Sequence, residues 1–237
     1  MRAASIRLLV EGVLERGGAL RLAEAQAHYL SRVMRCAAGD GVLVFNGIDG
    51  EFCARIEELS RRGAILRVAS QTRVQTPEPD CWLCFALLKR QKTDLVVEKA
   101  TELGVSRIQP VITARTQGTQ VNLERLRAIA IEAAEQCERL AVPEIRAPMA
   151  LTALAAGWPD GRTLFVADER RDAPALRFSS EPSALLIGPE GGFTDGEVAA
   201  IGANPRFARV SLGARILRAE TAAIAGLALL LASGPKE

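Results

Sequence analysis

Leu185-Leu186-Ile187-Gly188-Pro189-Glu190-Gly191-Gly192-Phe193-Thr194 runs an unbroken apolar stretch into a glycine-rich turn and then into a residue that starts helices. A short apolar run with no polar alternation is the pattern of a strand buried on both faces, as in a parallel sheet covered by helices. Thr194 followed by Glu197 predicts a capping box, so a helix begins there. Strand, glycine turn and helix in this order place the turn at the carboxyl end of a strand, where ligands of α/β folds bind. The turn is not a Walker A loop, since no Gly-Lys-Ser/Thr follows, and it is not G-x-G-x-x-G. One carboxylate with no adjacent Lys or Arg suits a neutral or cationic ligand better than a phosphate. Taken alone, the stretch serves equally well as a structural strand–helix connection.

Outward from this turn the pattern recurs. Val210-Ser211-Leu212-Gly213-Ala214-Arg215-Ile216-Leu217-Arg218-Ala219-Glu220-Thr221 again leads a strand through a glycine into a helix. Two such turns facing one cleft would offer backbone groups to an adenine edge, with Leu212, Ile216 and Leu217 against its faces. Glu220 is also favourable simply as a carboxylate near a helix N-terminus, and Arg215 and Arg218 are also readable as solvated. Upstream, apolar runs alternate with helical patterns: strands at 82–88, 108–112, 164–167, 184–187 and 207–212, helices at 93–103, 123–140, 194–203 and 219–232. Such alternation implies an α/β domain with a mainly parallel sheet. Lys89, Arg90 and Lys92 follow the first of these strands, on the ligand side of the sheet, where they would suit an RNA phosphate; a charge run reads as a solvated surface too.

The first seventy residues have a different grain. Val42-Leu43-Val44-Phe45, the turn dipeptides Asn46-Gly47 and Asp49-Gly50, an alternating strand at 51–56 and another at 64–69 predict a small β-barrel. One helix interrupts it, with apolar positions 29, 30, 33 and 34 at helical spacing. Residues 70–80 carry Gln, Thr, prolines and acids without periodicity and read as a connector. The chain therefore divides into a barrel at 1–72, a linker at 73–80 and an α/β domain at 81–237.

Composition sets the outer bounds. The 237 residues are 49% hydrophobic, 24% charged and only 4% aromatic, so the cores must be aliphatic; a net charge of +2 does not by itself mark a nucleic-acid binder. The five cysteines are odd in number, and Cys81-Trp82-Leu83-Cys84 reads as a buried strand rather than a metal or redox pair, so no metal is expected. Residues 1–10 lack a signal-peptide core, and the longest apolar stretch, at 222–232, is too short to span a bilayer; a cytoplasmic protein with no membrane partner is expected.

Five blocks in order carry a family resemblance: Lys99-Ala100-Thr101-Glu102-Leu103-Gly104-Val105, Glu132-Ala133-Ala134-Glu135-Gln136, Val142-Pro143-Glu144-Ile145, Gly188-Pro189-Glu190-Gly191-Gly192, and Leu212-Gly213-x-x-Ile216-Leu217-Arg218-x-Glu220-Thr221. With His28-Tyr29-Leu30-Ser31-Arg32-Val33-Met34-Arg35, they make nearly the whole chain resemble the RsmE family of 16S ribosomal RNA uridine-N3 methyltransferases. The resemblance implies a SPOUT-type α/β domain with a C-terminal trefoil knot, an N-terminal PUA-like barrel that grips RNA, S-adenosyl-L-methionine as cofactor, and a homodimer acting on 16S ribosomal RNA in the small ribosomal subunit. The cofactor site would comprise Leu186, Ile187, Gly188, Glu190, Gly191, Gly192, Leu212, Gly213, Ile216, Leu217, Arg218 and Thr221. Departures from the family pattern are Ala219, where a threonine is frequent, and Thr113-Ala114-Arg115-Thr116, which keeps the arginine of a Ser-Glu-Arg-Ser segment.

Uridine N3 carries a proton, so methylation there needs a base or a cation that stabilises the anion. Arg218 is expected to stabilise charge on the uracil, with Glu190 or Glu220 as proton acceptor if burial raises its pKa. RNA contacts are expected from Arg7, which occupies an arginine position of the family, from Arg32, Arg35 and the single histidine His28, and from Lys89, Arg90, Lys92 and Arg115. Competing readings are a 2′-O-ribose methyltransferase of the same fold, which usually carries Asn and Ser before the last helix where this chain has neither, and a non-catalytic RNA-binding factor, against which both glycine turns argue.

Overall fold

The computed structural model describes residues 6–116, 118, 120–167 and 173–232. It separates into two units, Met1–Pro77 with Ala134–Val142, and Glu78–Ala133 with Pro143–Glu237.

The first unit is a five-stranded sheet. Its elements are β1 (Arg7–Leu9), β2 (Ala19–Leu22), α1 (Glu24–His28), β3 (Gly41–Phe45), β4 (Glu51–Ser60) and β5 (Gly63–Arg73), in the order β1-β3-β4-β5-β2. β1 runs parallel to β3 and the other neighbours pair antiparallel. The strands expected of the small barrel form one five-stranded sheet whose edges, β1 and β2, share no ladder among the described residues. Alternation along the strands sends Leu8, Leu20, Leu22, Val42, Val44, Ala54, Ile56, Ala64, Leu66 and Val68 into one core. The Asn46–Gly50 turn forms as expected: the Asn46 side chain accepts from the N–H groups of Ile48 (3.0 Å) and Asp49 (2.9 Å).

Two expectations here are corrected. The strand expected to stop at 69 continues to Arg73, because the polar residues at its end find sheet-edge partners: Gln71 donates to the Asp49 carbonyl and Thr72 to the Glu51 carboxylate. The helix expected through Met34 stays α-helical only to His28 and then widens into a π-helical turn, Tyr29–Val33, in which Met34 N–H donates to the Tyr29 carbonyl at 3.0 Å. The added residue per turn rotates Val33 outward, to 61% exposure, while Leu30 stays fully buried.

Arg7 organises this unit. Its Nε donates to the Glu51 carboxylate at 2.7 Å, Nη1 to the carbonyls of Ala134 (3.0 Å) and Glu135 (3.1 Å), and Nη2 to that of Arg139 (2.9 Å). The guanidinium also lies 4.6 Å from the Phe45 ring centre. Both members of the ion pair are buried, so the contact with RNA phosphates expected of Arg7 is overturned: every nitrogen of its guanidinium already donates within the fold. The same bonds explain why Ala134–Val142 joins the first unit, although sequence order put it in the α/β domain. Phe45, Ala134 and Leu140 bury against Leu9 and Val142 beside them.

The second unit holds β6 (Cys81–Ala86), α2 (Arg90–Leu103), β7 (Arg107–Ile112), most of α3 (Leu123–Gln136), β8 (Glu144–Ile145), β9 (Met149–Ala150), α4 (Leu151–Ala156), β10 (Thr163–Ala167), β11 (Ser183–Ile187), α5 (Asp195–Ala203), β12 (Phe207–Val210) and α6 (Ala219–Leu231). Its seven strands form one wholly parallel sheet, in the order β12-β10-β11-β6-β7-β8 with β9 also on β7. All five residues of β11 are buried, as the unbroken apolar run requires. Cys81 and Cys84 lie in β6 as expected; burial pushes their thiols up to about 11 and about 12, which leaves them protonated and inert. Among the described residues no cluster of ligating side chains suits a metal ion, and no helix is long and apolar enough to cross a membrane.

Arg7→Ala would leave the Glu51 carboxylate buried without its partner and three carbonyls unmet, a loss of about 3–5 kcal/mol. Urea unfolding followed by fluorescence should show that decrease, and Arg7→Lys should recover only part of it.

Candidate active site

Because the sheet is parallel, β12, β10 and β11 deliver their carboxyl ends to one edge side by side. The turn after β11 and the turn after β12 therefore stand opposite each other, with Ala167, the last residue of β10, between them. They enclose a cleft of about 170 Å³, partly open to solvent, lined by Ala167, Ile187–Glu190, Gly192, Phe193, Val198, Leu212, Gly213, Arg215–Ala219 and Ala222. Backbone and aliphatic side chains dominate the lining, with three charged side chains, Glu190, Arg215 and Arg218.

Local chemistry explains each wall. In the first turn, Gly192 N–H donates to the Pro189 carbonyl at 2.9 Å. The Phe193 ring folds back so closely that a Cβ on Gly188 would sit 3.0 Å from Cε2, so a larger residue there would have to displace the ring. Thr194 caps α5 in the predicted reciprocal box: its hydroxyl accepts from Glu197 N–H, and the Glu197 carboxylate accepts from Thr194 N–H at 2.8 Å. The other oxygen of Glu197 accepts from Ala114 N–H at 2.8 Å, and Arg115 Nη1 donates to the Gly191 carbonyl at 2.5 Å, so the segment after β7 braces the first turn. In the second turn, Gly213 has φ +121°, a conformation side chains resist, and its N–H donates to the Ser211 hydroxyl at 3.2 Å. Arg218 then caps α6 through its backbone alone, with Glu220 in the first turn.

Of the residues expected at the cofactor site, Ile187, Gly188, Glu190, Gly192, Leu212, Gly213, Ile216, Leu217 and Arg218 line the cleft. Leu186 is fully buried beneath it, Gly191 turns its carbonyl to Arg115, and Thr221 is exposed on α6; none of the three is in the lining. Sequence reading missed Ala167, Pro189, Phe193, Val198, Arg215, Ala219 and Ala222. Ala167 ends a strand with no glycine turn behind it, and Arg215 is indistinguishable in sequence from a solvated arginine.

Charge at the cleft is arranged differently from expectation. Lys92, expected to face RNA, is engaged: its Nζ lies 3.0 Å from Glu190 Oε1 and 3.4 Å from Glu220 Oε2. The hydrogen bond from Lys92 holds the Glu190 carboxyl below its ordinary range against a smaller opposing effect of burial, with its own backbone N–H and the Lys92 and Lys89 charges adding to the depression. Lys92 itself is raised, by Glu190 first. The raised carboxylate pKa expected of a base is therefore not found at Glu190. Of the other residues expected to meet RNA, His28, Arg32, Arg35, Lys89, Arg90 and Arg115 are exposed, with one Nη of Arg115 committed to Gly191.

A parallel sheet with glycine turns closing a cleft at its carboxyl edge, in a chain that also carries a separate small β unit, fits a two-domain RNA methyltransferase, the class that the matching family models describe. A family model described as RNA methyltransferase domain matches residues 76–231, and one described as RNA methyltransferase PUA domain matches residues 22–69. The ribosomal RNA small subunit methyltransferase E of Rickettsia conorii is 35% identical over 94% of this chain and 93% of its own length. Among solved structures, a methyltransferase of Legionella pneumophila in complex with its cofactor S-adenosylmethionine is 32% identical, with a TM-score of 0.86 over 97% of this chain and 98% of that one. The ribosomal RNA small subunit methyltransferase E of Neisseria gonorrhoeae, also bound to S-adenosylmethionine, is 27% identical with a TM-score of 0.87 over 94% and 95%. The chain belongs to the family of ribosomal RNA small subunit methyltransferase E.

Thr194→Ala should cost about 1 kcal/mol by removing the cap. Glu197 shares that contribution. Burial alone would raise its pKa, but the N–H groups of Thr194 and Ala114, the Thr194 hydroxyl and the charge of Arg115 bring it below the ordinary 4.5. A depressed folded pKa means the stabilisation is complete above 4.5 and disappears as pH falls through the lower folded value. Thermal unfolding of Glu197→Gln against the parent should therefore show a gap at pH 7 that closes at the acid end.

Proposed function

We propose that this chain transfers a methyl group from S-adenosyl-L-methionine to N3 of a uridine in 16S ribosomal RNA of the small subunit. The observation that carries the reading is the cleft between the two glycine turns. Its aliphatic walls suit the faces of an adenine, its backbone groups suit a base edge, and the Glu190 carboxylate at its rim suits a cationic sulfonium. Ile187, Leu212, Ile216 and Leu217 would hold the adenosyl part, with the Gly188–Gly192 and Gly213 backbones around it. When bound, the cofactor supplies a methyl group already activated by the positive sulfur, so the protein needs no nucleophile of its own.

The protein's task is then to seat the uracil and make N3 nucleophilic. Arg218, exposed at the cleft and at the start of α6, would stabilise the negative charge that develops on the uracil as its proton leaves. Glu190, held ionised below its ordinary range, is a weak proton acceptor. We assign proton removal to Glu220 or to solvent, and to Glu190 a role in binding the positively charged donor. The helical segment that presents His28 and Arg32 to solvent, with Arg35 just beyond it, supplies phosphate contacts on the first unit, together with Lys89, Arg90 and the other donors of Arg115. The target base must be unpaired or flipped out to reach the cleft. We further assign the chain a homodimeric state and a cytoplasmic location, and to its last segment the threading of a trefoil knot.

The test is incubation with labelled S-adenosylmethionine and small ribosomal subunits from cells that lack this protein. Label should enter 16S RNA, survive digestion to free bases and map to a single uracil. Label that stays with the ribose would move the assignment to 2′-O-methylation, and label absent altogether, with no binding of S-adenosylhomocysteine by calorimetry, would remove the enzyme assignment.

A further inference from the structure

Lys92 is the only side chain in contact with both candidate carboxylates of the cleft among the described residues. It comes from neither turn. Lys92 lies in the first turn of α2, which packs against α6, and its ammonium reaches Glu190 in the turn after β11 and Glu220 at the start of α6. Those two carboxylates belong to opposite walls: Glu190 to the first glycine turn, Glu220 to the helix that leaves the second. Burial is graded across the group, with side-chain exposures of 39% for Glu190, 29% for Lys92 and 13% for Glu220. One Glu220 oxygen is buried with no hydrogen bond of its own, so its nearest compensation is the Lys92 charge at 3.4 Å. An ammonium is a compact point charge with three donors that rotate freely, and so it can serve two carboxylates that do not lie in one plane.

We propose that Lys92 is a positioning residue that clasps the two walls of the cleft through Glu190 and Glu220, and so sets the affinity for adenosyl ligands. The inference rests on the methyl-donor reading of the cleft. Without the ammonium, two carboxylates at the cleft repel each other. Glu190, whose carboxylate has no other side-chain partner among the described residues, loses its anchor. The glycine turn that holds it then keeps the Arg115 bond to Gly191 and the Glu197 cap.

The charged groups that face Glu190 are Lys92 and Lys89 from the start of α2, Glu220 from α6, and, on the same cleft, Arg215 and Arg218; Arg115 bonds to the neighbouring Gly191. The test has a ligand-free arm and a binding arm. In the first, carboxyl-labelled glutamate is followed by NMR through an acid titration of the full chain. Lys92→Met should raise the Glu190 midpoint, and an unmoved midpoint overturns the clasp. In the second, calorimetry with S-adenosylhomocysteine should show Kd about tenfold weaker in Lys92→Met, a change of about 1.4 kcal/mol, at an unchanged melting temperature. Lys92→Arg should recover part of the loss, and adding Lys92→Met to Glu190→Gln should cost less than it does alone. In turnover, KM for the donor should rise more than kcat falls. Equal affinity in parent and Lys92→Met overturns the proposal. So does a loss shared equally by Lys92→Arg and accompanied by a lower melting temperature, which marks a purely structural lysine. Failure of the parent itself to bind S-adenosylhomocysteine, with the titration arm as expected, overturns the methyl-donor reading instead.

Discussion

The parallel direction of every strand in the second unit is the constraint on which the site depends. Parallel strands leave all their carboxyl ends on one edge of a sheet, and the crossovers that connect them must start there. With β10 between β11 and β12, the two turns that follow those strands are one strand apart and face across the end of Ala167. The cleft is the space between these turns. An antiparallel order would have sent one turn to the opposite edge and left two unrelated loops.

The walls are rigid for reasons that lie in backbone geometry. Gly188 yields its side-chain volume to Phe193, and Gly213 adopts a φ that other residues resist. Around these two positions the protein spends its polar groups on bracing: Glu197 ties the start of α5 to Ala114, and Arg115 ties Gly191. The cleft itself stays mostly apolar. Its few charges are balanced from outside the turns by Lys92, which keeps Glu190 ionised and engages Glu220. A cleft of that character offers mainly apolar faces and backbone groups to whatever enters it.

The first unit obeys a different economy. Its sheet is too small to bury much beyond one layer of aliphatic side chains, and it recruits Ala134–Val142 to cover Leu9 and Phe45. Arg7 makes that recruitment specific by donating to three carbonyls and one carboxylate. An arginine that sequence position alone marks as an RNA contact is therefore a structural member. Surface arginines such as Arg32 and Arg35 remain the exposed cations of this unit.

Local pattern determined a good deal of this protein unaided. Unbroken apolar runs located β6, β7, β10, β11 and β12 to within a few residues; glycine turns located both walls of the cleft; Thr194 and Glu197 located the start of α5. Each of these signals is confined to neighbours in the chain, which is why it survives in the sequence. Order and ligand fit followed from resemblance as a set of blocks. What only the tertiary structure decided depends on partners far apart in sequence: the short strands β1, β2, β8 and β9, whose ladders lie with distant segments; the widening of the turn at Tyr29–Val33; the burial of Arg7 beside Glu51; and the capture of Lys92 by carboxylates roughly a hundred residues away or more. A charged side chain looks the same in a sequence whether it faces water or a buried carboxylate, because its role is set by which opposite charge the fold brings within reach.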